Sequence, residues 1–132
     1  MTGIADTRLL IELEFPSKES NGLKIRDFFE KEIEKKLFIP SIVIAEFIEI
    51  AGAEIGVDAA KTRIRVIKEK GAKIIVIDEE VAILAGCLHL SNRNVPIADA
   101  LIASFVKNGV AQYVITDNSH FKTLNVKTKW IL

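Results

Sequence analysis

The chain has 132 residues, of which 49% are hydrophobic and 27% are charged. This length and balance predict one folded domain over residues 1–132 that buries its own core, and they exclude a largely disordered chain. Eighteen basic residues offset eighteen acidic ones, so no overall positive charge marks the chain as a nucleic-acid-binding protein.

The first predicted elements are short strands alternating with longer helical patterns, which indicates an α/β fold with a largely parallel sheet. The predicted strands cover residues 3–5, 37–39, 73–77, 113–115 and 129–132. The first long helical pattern, residues 21–36, has charged residues four apart, such as Glu32 and Lys36, which are typical of ion pairs on a solvated face.

Polar and glycine residues predict where the remaining helices begin and end. Ser41 is expected to cap a helix that ends at Gly56, and Asp58 to cap the next one. Two further helices are predicted after the third strand, over residues 79–92 and from Pro96 onward.

The N-terminus and the single cysteine bear on the cellular compartment. Charged residues interrupt the apolar N-terminal stretch, unlike a secretory signal, and no uncharged apolar run approaches the ~20 residues that span a bilayer. Cys87 has no partner for an internal disulfide and stands among apolar residues, which is typical of a small core residue. We therefore expect a cytoplasmic protein with no membrane contact and with Cys87 buried.

Four acidic residues do not fit the polar faces and helix starts where most of the acids lie. Asp6 and Asp117 follow predicted strands, at the end where open α/β sheets bind ligands, although each could simply cap the next helix. Glu46 has apolar neighbours at three of the four adjoining positions on its helix face. Asp99 lies in the first turn of an apolar helix, where the helix dipole contributes only ~0.3–1 kcal/mol, less than the burial of an unpaired charge costs.

Carboxylates gathered at one place need a compensating positive charge. No basic residue lies within a helical turn of Glu46, and Asp99 has none before Lys107. The charge would come from a lysine or arginine elsewhere in the fold or from a divalent cation. Oxygen ligands without a companion histidine or cysteine pair favour Mg²⁺ or Mn²⁺ over zinc or copper.

The segments that contain these acids resemble, in order and spacing, the PIN-domain family, and the chain length is similar to that of its VapC-like toxins. The segments are ADTRLLI (5–11), PSIVIAEF (40–47), VPIADALIASF (95–105) and VITDNSHF (114–121). The resemblance runs from about residue 4 to 131. It implies a three-layer α/β/α sandwich with a mainly parallel central sheet of four to five strands, and a ribonuclease that depends on Mg²⁺, with Mn²⁺ as a substitute.

The resemblance also assigns roles to individual residues. By match, Asp6, Glu46 and Asp99 are the first three family acids, which bind metal and act in catalysis. Thr7 and Thr116 fall where the family often has a hydroxyl that orients the acids.

The last segment departs from the family pattern. Members commonly read Thr-x-Asp before the phenylalanine, which would put a fourth acid at position 118, where this chain has Asn118. The fourth ligand is therefore expected to be either Asp117, which would also be catalytic, or the carbonyl oxygen of Asn118.

Several further roles follow less directly. Arg8, Arg93 and Lys122 lie near the expected cavity mouth and could hold RNA phosphates. His120 could act as a general acid, but the metal chemistry requires no histidine. A VapC-like protein would form a homodimer and bind an inhibitory antitoxin.

Two other classes of function are compatible with acids at strand ends. A PIN-like module that binds RNA or protein without cleaving it is suggested by Asn118. A receiver-type domain, which binds Mg²⁺ and is phosphorylated on aspartate, would need a lysine after a late strand, and none occurs before Lys122.

Overall fold

The computed structural model describes residues 1–132 and places five parallel strands in the order β3-β2-β1-β4-β5. The strands are β1 (Gly3–Ala5), β2 (Leu37–Pro40), β3 (Lys73–Ile75), β4 (Tyr113–Ile115) and β5 (Thr128–Lys129). The helices are α1 (Thr7–Glu14), α2 (Gly22–Lys35), α3 (Ser41–Ile55), α4 (Val57–Glu69), α5 (Glu79–Ser91), α6 (Ile97–Lys107) and α7 (His120–Thr123).

Right-handed connections between parallel strands determine the layers. They put the helices that follow β1 and β2 on one face of the sheet and those that follow β3 and β4 on the other. The predicted three-layer α/β/α sandwich is therefore confirmed. The chain leaves the neighbouring strands β1 and β4 in opposite directions, which opens a crevice at their carboxyl ends.

The core forms where apolar strand residues meet apolar helix faces. The strands contribute fully buried residues such as Ile4, Ile39 and Val114, and large aromatic side chains from the helices cover them. The fully buried phenylalanines are Phe29, Phe47, Phe105 and Phe121. This packing holds both strand ends of the crevice in fixed positions.

Two predicted strands were too long at their carboxyl ends. β3 stops at Ile75 rather than Ile77, because its last partner is Pro40 and β2 turns into α3 at the next residue. β5 covers Thr128–Lys129 rather than 129–132, because Lys129 pairs with Ile115, the last residue of β4. An edge strand lasts only as long as the strand beside it.

The two predicted helix caps were wrong. Pro40 is the N-cap of α3, so Ser41 is already helical and makes no capping hydrogen bond. Gly56, with φ +88°, ends α3 and also begins α4, which places Asp58 inside the first turn. One glycine in the left-handed region therefore provides the change of direction between α3 and α4 that the sequence pattern assigned to a cap at Asp58.

Two burial predictions were also wrong. Cys87 is exposed, because α5 buries Val81 and Ala85 and position 87 lies on the opposite side of that helix. Glu32 is 1% exposed rather than solvated, and it bonds to Tyr113 and Lys129 rather than to Lys36. No helix combines the length and apolar character needed to cross a membrane.

Candidate active site

A cavity of about 420 Å³ opens at the carboxyl ends of β1 and β4. Three acids that the sequence singles out, Asp6, Glu46 and Asp99, line it together with Arg8. Its other lining residues are Thr7, Ile11, Ile50, Pro96, Ala98, Asn118 and His120. Four distant segments of the chain thus contribute to one hollow.

Asp6 is fixed by hydrogen bonds from two elements. It is the N-cap of α1, where Oδ1 accepts from the backbone N–H of Thr7 at 2.8 Å, and the Thr116 hydroxyl donates to Oδ2 at 2.7 Å. The residue is 6% exposed. Both predicted hydroxyl residues are therefore close to the cavity acids, and Thr116 lies directly on Asp6.

The surroundings of Asp6 disfavour its charged form. The pKa of Asp6 is raised to about 6, mainly by burial and in smaller part by the negative charges of Asp99 and Glu46. Hydrogen bonds from Thr116 and Thr7 lower it but do not compensate. Asp99 and Glu46 are therefore both close enough to Asp6 for their charges to act on it.

Glu46 comes to the cavity from the middle of α3. It is half-buried, and its Oε1 accepts a hydrogen bond of 2.5 Å from the Thr7 hydroxyl. Thr7 therefore bonds Asp6 through its backbone and Glu46 through its side chain. This bridge sets the spacing between the first two acids.

Asp99 lies in the first turn of α6 and is 7% exposed. Its Oδ2 accepts from Nδ2 of Asn118 at 3.3 Å and lies 2.9 Å from Nδ1 of His120. The same Asn118 accepts from the backbone N–H of His120 through Oδ1 at 2.9 Å. The segment after β4 thus orients the third acid.

The three carboxylates have no lysine or arginine within ion-pair distance. Only His120 is near one of them, at Asp99. Asp6, Glu46 and Asp99 are therefore buried or half-buried next to one another without a fixed positive partner from the protein.

Of the two candidates for a fourth ligand, only one side chain lines the cavity. Asn118 lines the cavity and bonds Asp99, whereas Asp117 points outward, 41% exposed, and pairs with Nε of Arg8 at 3.2 Å. A tight turn separates the adjacent side chains, since the Thr116 hydroxyl accepts from the backbone N–H of Asn118.

The three basic residues that the sequence put near the mouth are placed differently. Arg8 lines the cavity, while Arg93 and Lys122 are exposed and do not.

Sequence reasoning gave too little weight to His120. It reaches Asp99 because α7 begins at His120, directly after the turn at Asn118. The only sequence feature that indicates a place for His120 at the cavity is its position two residues after Asn118.

Comparison with known proteins supports the observed fold. A family model described as PIN domain matches residues 4–127, and no curated protein matches the chain by sequence. VapBC2 from Rickettsia felis, bound to a DNA fragment from its promoter, superposes with a TM-score of 0.78 at 18% identity, covering 98% of each chain.

Two more solved structures are similar. DNA-bound VapBC from Salmonella typhimurium gives a TM-score of 0.74 at 18% identity, covering 98% of each chain. VapC20 from Mycobacterium tuberculosis, a toxin that cleaves the sarcin-ricin loop, gives 0.75 at 13% identity and covers 94% of this chain and 95% of its own. At these identities the likeness concerns the fold, and the family model matches nearly the whole sequence. The chain belongs to the PIN domain family.

Proposed function

We propose that the protein is a metal-dependent ribonuclease that hydrolyses RNA phosphodiester bonds. The observation behind this proposal is the group of Asp6, Glu46 and Asp99 in one cavity of a PIN domain, without a lysine or arginine to neutralise them. Neighbouring carboxylates in such a cavity cost stability unless a cation compensates their charge.

The cavity residues fit a hard divalent cation. Carboxylate oxygens are available at Asp6, Glu46 and Asp99, and Asn118 lies beside Asp99. The structure gathers no three His, Cys, Asp or Glu side chains closely enough to ligate one ion directly. Mg²⁺ usually keeps several waters and takes only one or two carboxylates, so this open arrangement suits Mg²⁺, with Mn²⁺ as a substitute. When bound, such an ion lowers the pKa of a coordinated water and polarises a phosphoryl oxygen.

The protein's own contribution is to hold the acids in place. Thr7 and Thr116 fix Asp6 and Glu46, while Asn118 and His120 fix Asp99. The acids therefore do not reorganise when a substrate arrives. Asp117 lies outside this arrangement and pairs with Arg8 instead.

We further propose that the protein is the toxin of a toxin–antitoxin pair. The VapBC structures from R. felis and S. typhimurium support an antitoxin partner, and the M. tuberculosis toxin supports RNA as the substrate. A homodimer and a cytoplasmic location remain predictions from the sequence.

The experiment is a cleavage assay on purified protein with single-stranded RNA, in Mg²⁺, in Mn²⁺ and with EDTA. We expect cleavage with either metal and none with EDTA. Each metal should also raise the melting temperature in proportion to the logarithm of its concentration at saturation, because it binds only the folded state. RNA that stays intact in both metals would contradict the proposed activity.

A PIN-like module that binds RNA without cleaving it is the second candidate. Asn118 favours it, because the family pattern puts an acid at this position and an amide brings no negative charge. RNA binding without cleavage, together with no thermal shift by Mg²⁺ or Mn²⁺, is the result that this candidate predicts. Membership of the PIN family leaves the receiver-type alternative without support.

A further inference from the structure

We infer that Arg8 binds a phosphate of the RNA backbone at the edge of the acidic cavity, and that Glu12, Asp117 and Trp130 hold its guanidinium there. The inference rests on the proposed ribonuclease activity. It adds a substrate-positioning residue and gives Asp117 a role outside the group of cavity acids.

Arg8 is held on three sides. Nη1 donates to Oε2 of Glu12 at 3.1 Å, and Nε donates to Oδ1 of Asp117 at 3.2 Å. The guanidinium carbon lies 5.6 Å from the centroid of the Trp130 ring, within the range of a cation–π contact. Because these contacts already restrict a long side chain, Arg8 loses less rotamer freedom when it binds a ligand.

Glu12 is the fixed end of this arrangement. Its side chain is fully buried, and Oε1 accepts hydrogen bonds from the backbone N–H of Ser17 at 3.1 Å and from the Ser17 hydroxyl at 2.7 Å. Burial alone would raise the pKa of Glu12, but the bonds from Ser17 and the charge of Arg8 outweigh it and lower the pKa. Glu12 therefore stays ionised and anchors Arg8.

Arg8 still has donors to offer. An arginine carries five N–H groups, and protein acceptors use only two of them here, so three remain free on a side chain that is 39% exposed. Planar guanidinium donors match the oxygens of a phosphate. Since Arg8 lines the cavity beside Asp6 and Glu46, a phosphate bound to it would lie next to the acids.

The distribution of charge around the cavity makes Arg8 the main candidate for RNA binding. The formal net charge is zero, so no general field attracts RNA, and the cavity acids repel it. Arg8 is the only lysine or arginine among the cavity-lining residues. Its free N–H donors therefore offer a phosphate direct hydrogen bonds where cleavage is proposed, although Glu12 and Asp117 offset its charge.

The test compares Arg8→Gln and Arg8→Lys with the control Arg63→Gln. Arg63 is a matched control because it is half exposed and paired with one acid, Glu14 at 2.6 Å, away from the cavity. Two quantities are measured: KM and kcat for RNA cleavage, and the salt dependence of binding of a fluorescein-labelled single-stranded RNA, by anisotropy.

We expect Arg8→Gln to raise KM about tenfold with kcat changed less than about threefold, because a phosphate contact acts equally before and during the reaction. The slope of log affinity against log salt should fall by about 0.7, the value for one phosphate contact on a single strand. Arg8→Lys should keep the slope but not the KM, and Arg63→Gln should change neither. An Arg8→Gln protein that matches Arg63→Gln in both quantities overturns the inference.

Asp117→Asn tests the positioning role. It removes a negative charge near the RNA, so simple electrostatics predicts a lower KM. Loss of the restraint on Arg8 predicts instead a KM about threefold higher. A lower KM would show that Asp117 does not position Arg8.

Two further measurements distinguish a failure of the Arg8 inference from unfolding of the variant and from a failure of the proposed activity. If Arg8→Gln leaves Glu12 as an unpaired buried charge and unfolds the chain, Arg8→Gln combined with Glu12→Gln removes that charge, and the same quantities are measured on it. If the unmutated protein binds RNA but does not cleave it, the proposed activity fails, while the anisotropy measurement still tests Arg8.

Discussion

The two ends of β4 each lie beside a buried acid, and the protein treats these acids in opposite ways. Near Tyr113, the first residue of β4, Glu32 accepts from the tyrosine hydroxyl and from Nζ of Lys129 at 3.0 Å, and Lys35 lies 3.3 Å away. Burial would raise the pKa of Glu32, but these partners outweigh it and lower the pKa. Beyond the other end, Asp6 has no cationic partner, and its pKa is raised to about 6.

The comparison separates a structural acid from a candidate functional one. Glu32 joins α2, β4 and β5 through groups that the protein itself supplies. Asp6 has hydrogen-bond donors but only carboxylates as charged neighbours, so the proposed positive partner is a cation from outside the protein. Burial alone therefore does not distinguish the two kinds of acid, and burial without a positive partner is what makes Asp6 a candidate functional residue.

The largest expected effect is on activity. Asp99→Asn should reduce RNA cleavage in Mn²⁺ by about 10³-fold or more, because it removes a charge that would hold the proposed metal ion. Single-turnover cleavage measures the loss. The control is Asp58→Asn, which also removes an acid from the first turn of a helix, but an exposed one. If a contaminant-free Asp99→Asn protein cleaved RNA at the rate of the control, Asp99 would not be a functional acid.

The next effect is on stability and falls at the other end of β4. Glu32→Gln should lower the free energy of unfolding by about 2–3 kcal/mol, because charged hydrogen bonds to Lys129 and a buried bond to Tyr113 are weakened. Urea denaturation measures the loss. Cleavage per folded molecule should remain unchanged, and a large fall in it would show that the two ends do not have separate roles.

The fold and the candidate site were predictable to different degrees. Asp6 could be picked out because it directly follows a predicted strand, and Glu46 and Asp99 because their neighbours on the helix are apolar; both are local signals. Glu32 could not, because the residues that bury and pair it, Tyr113 and Lys129, are 81 and 97 positions away. Its i,i+4 lysine made a solvated face the natural expectation.

The choice between the two candidates for the fourth ligand also could not be predicted from the sequence, although they are neighbours in the chain. Asp117 and Asn118 are adjacent, and only the turn at Thr116 decides which of them reaches the cavity. The exposure of Cys87 depends likewise on which side of α5 packs against α6, which an almost uniformly apolar helix does not reveal. Tertiary packing, rather than local pattern, settles such positions.

A third prediction concerns pH and the missing partner of Asp6. The folded chain binds the Asp6 proton with a pKa of about 6 and the unfolded chain with one near 3.8, so stability falls as pH rises between these values. The upper limit of this loss is roughly 3 kcal/mol at 1.36 kcal/mol per pH unit.

Asp6→Asn removes that loss. In EDTA at pH 8 we expect the variant to be more stable than the unmutated chain by about 1–2 kcal/mol, since the amide keeps only part of the bonding to Thr7 and Thr116. At pH 4 the gain should disappear, because Asp6 is then mostly protonated in the folded chain. Denaturation at both pH values measures it. An equal difference at both would show that the charge of Asp6 is not what costs stability.

The smallest expected effect is the contribution of the Tyr113–Glu32 hydrogen bond to stability. Tyr113→Phe keeps the ring but leaves Oε1 of Glu32 without its donor, so we expect a loss of about 1 kcal/mol. In a double-mutant cycle with Glu32→Gln, the double mutant should lose about 1 kcal/mol less than the sum of the two single losses. Both single changes weaken the same hydrogen bond, so its loss is counted only once in the double mutant. Urea denaturation of the four proteins gives the coupling. Full additivity would show that Lys129 and Lys35 alone hold Glu32, in which case the contrast with Asp6 depends only on the presence or absence of a positive charge.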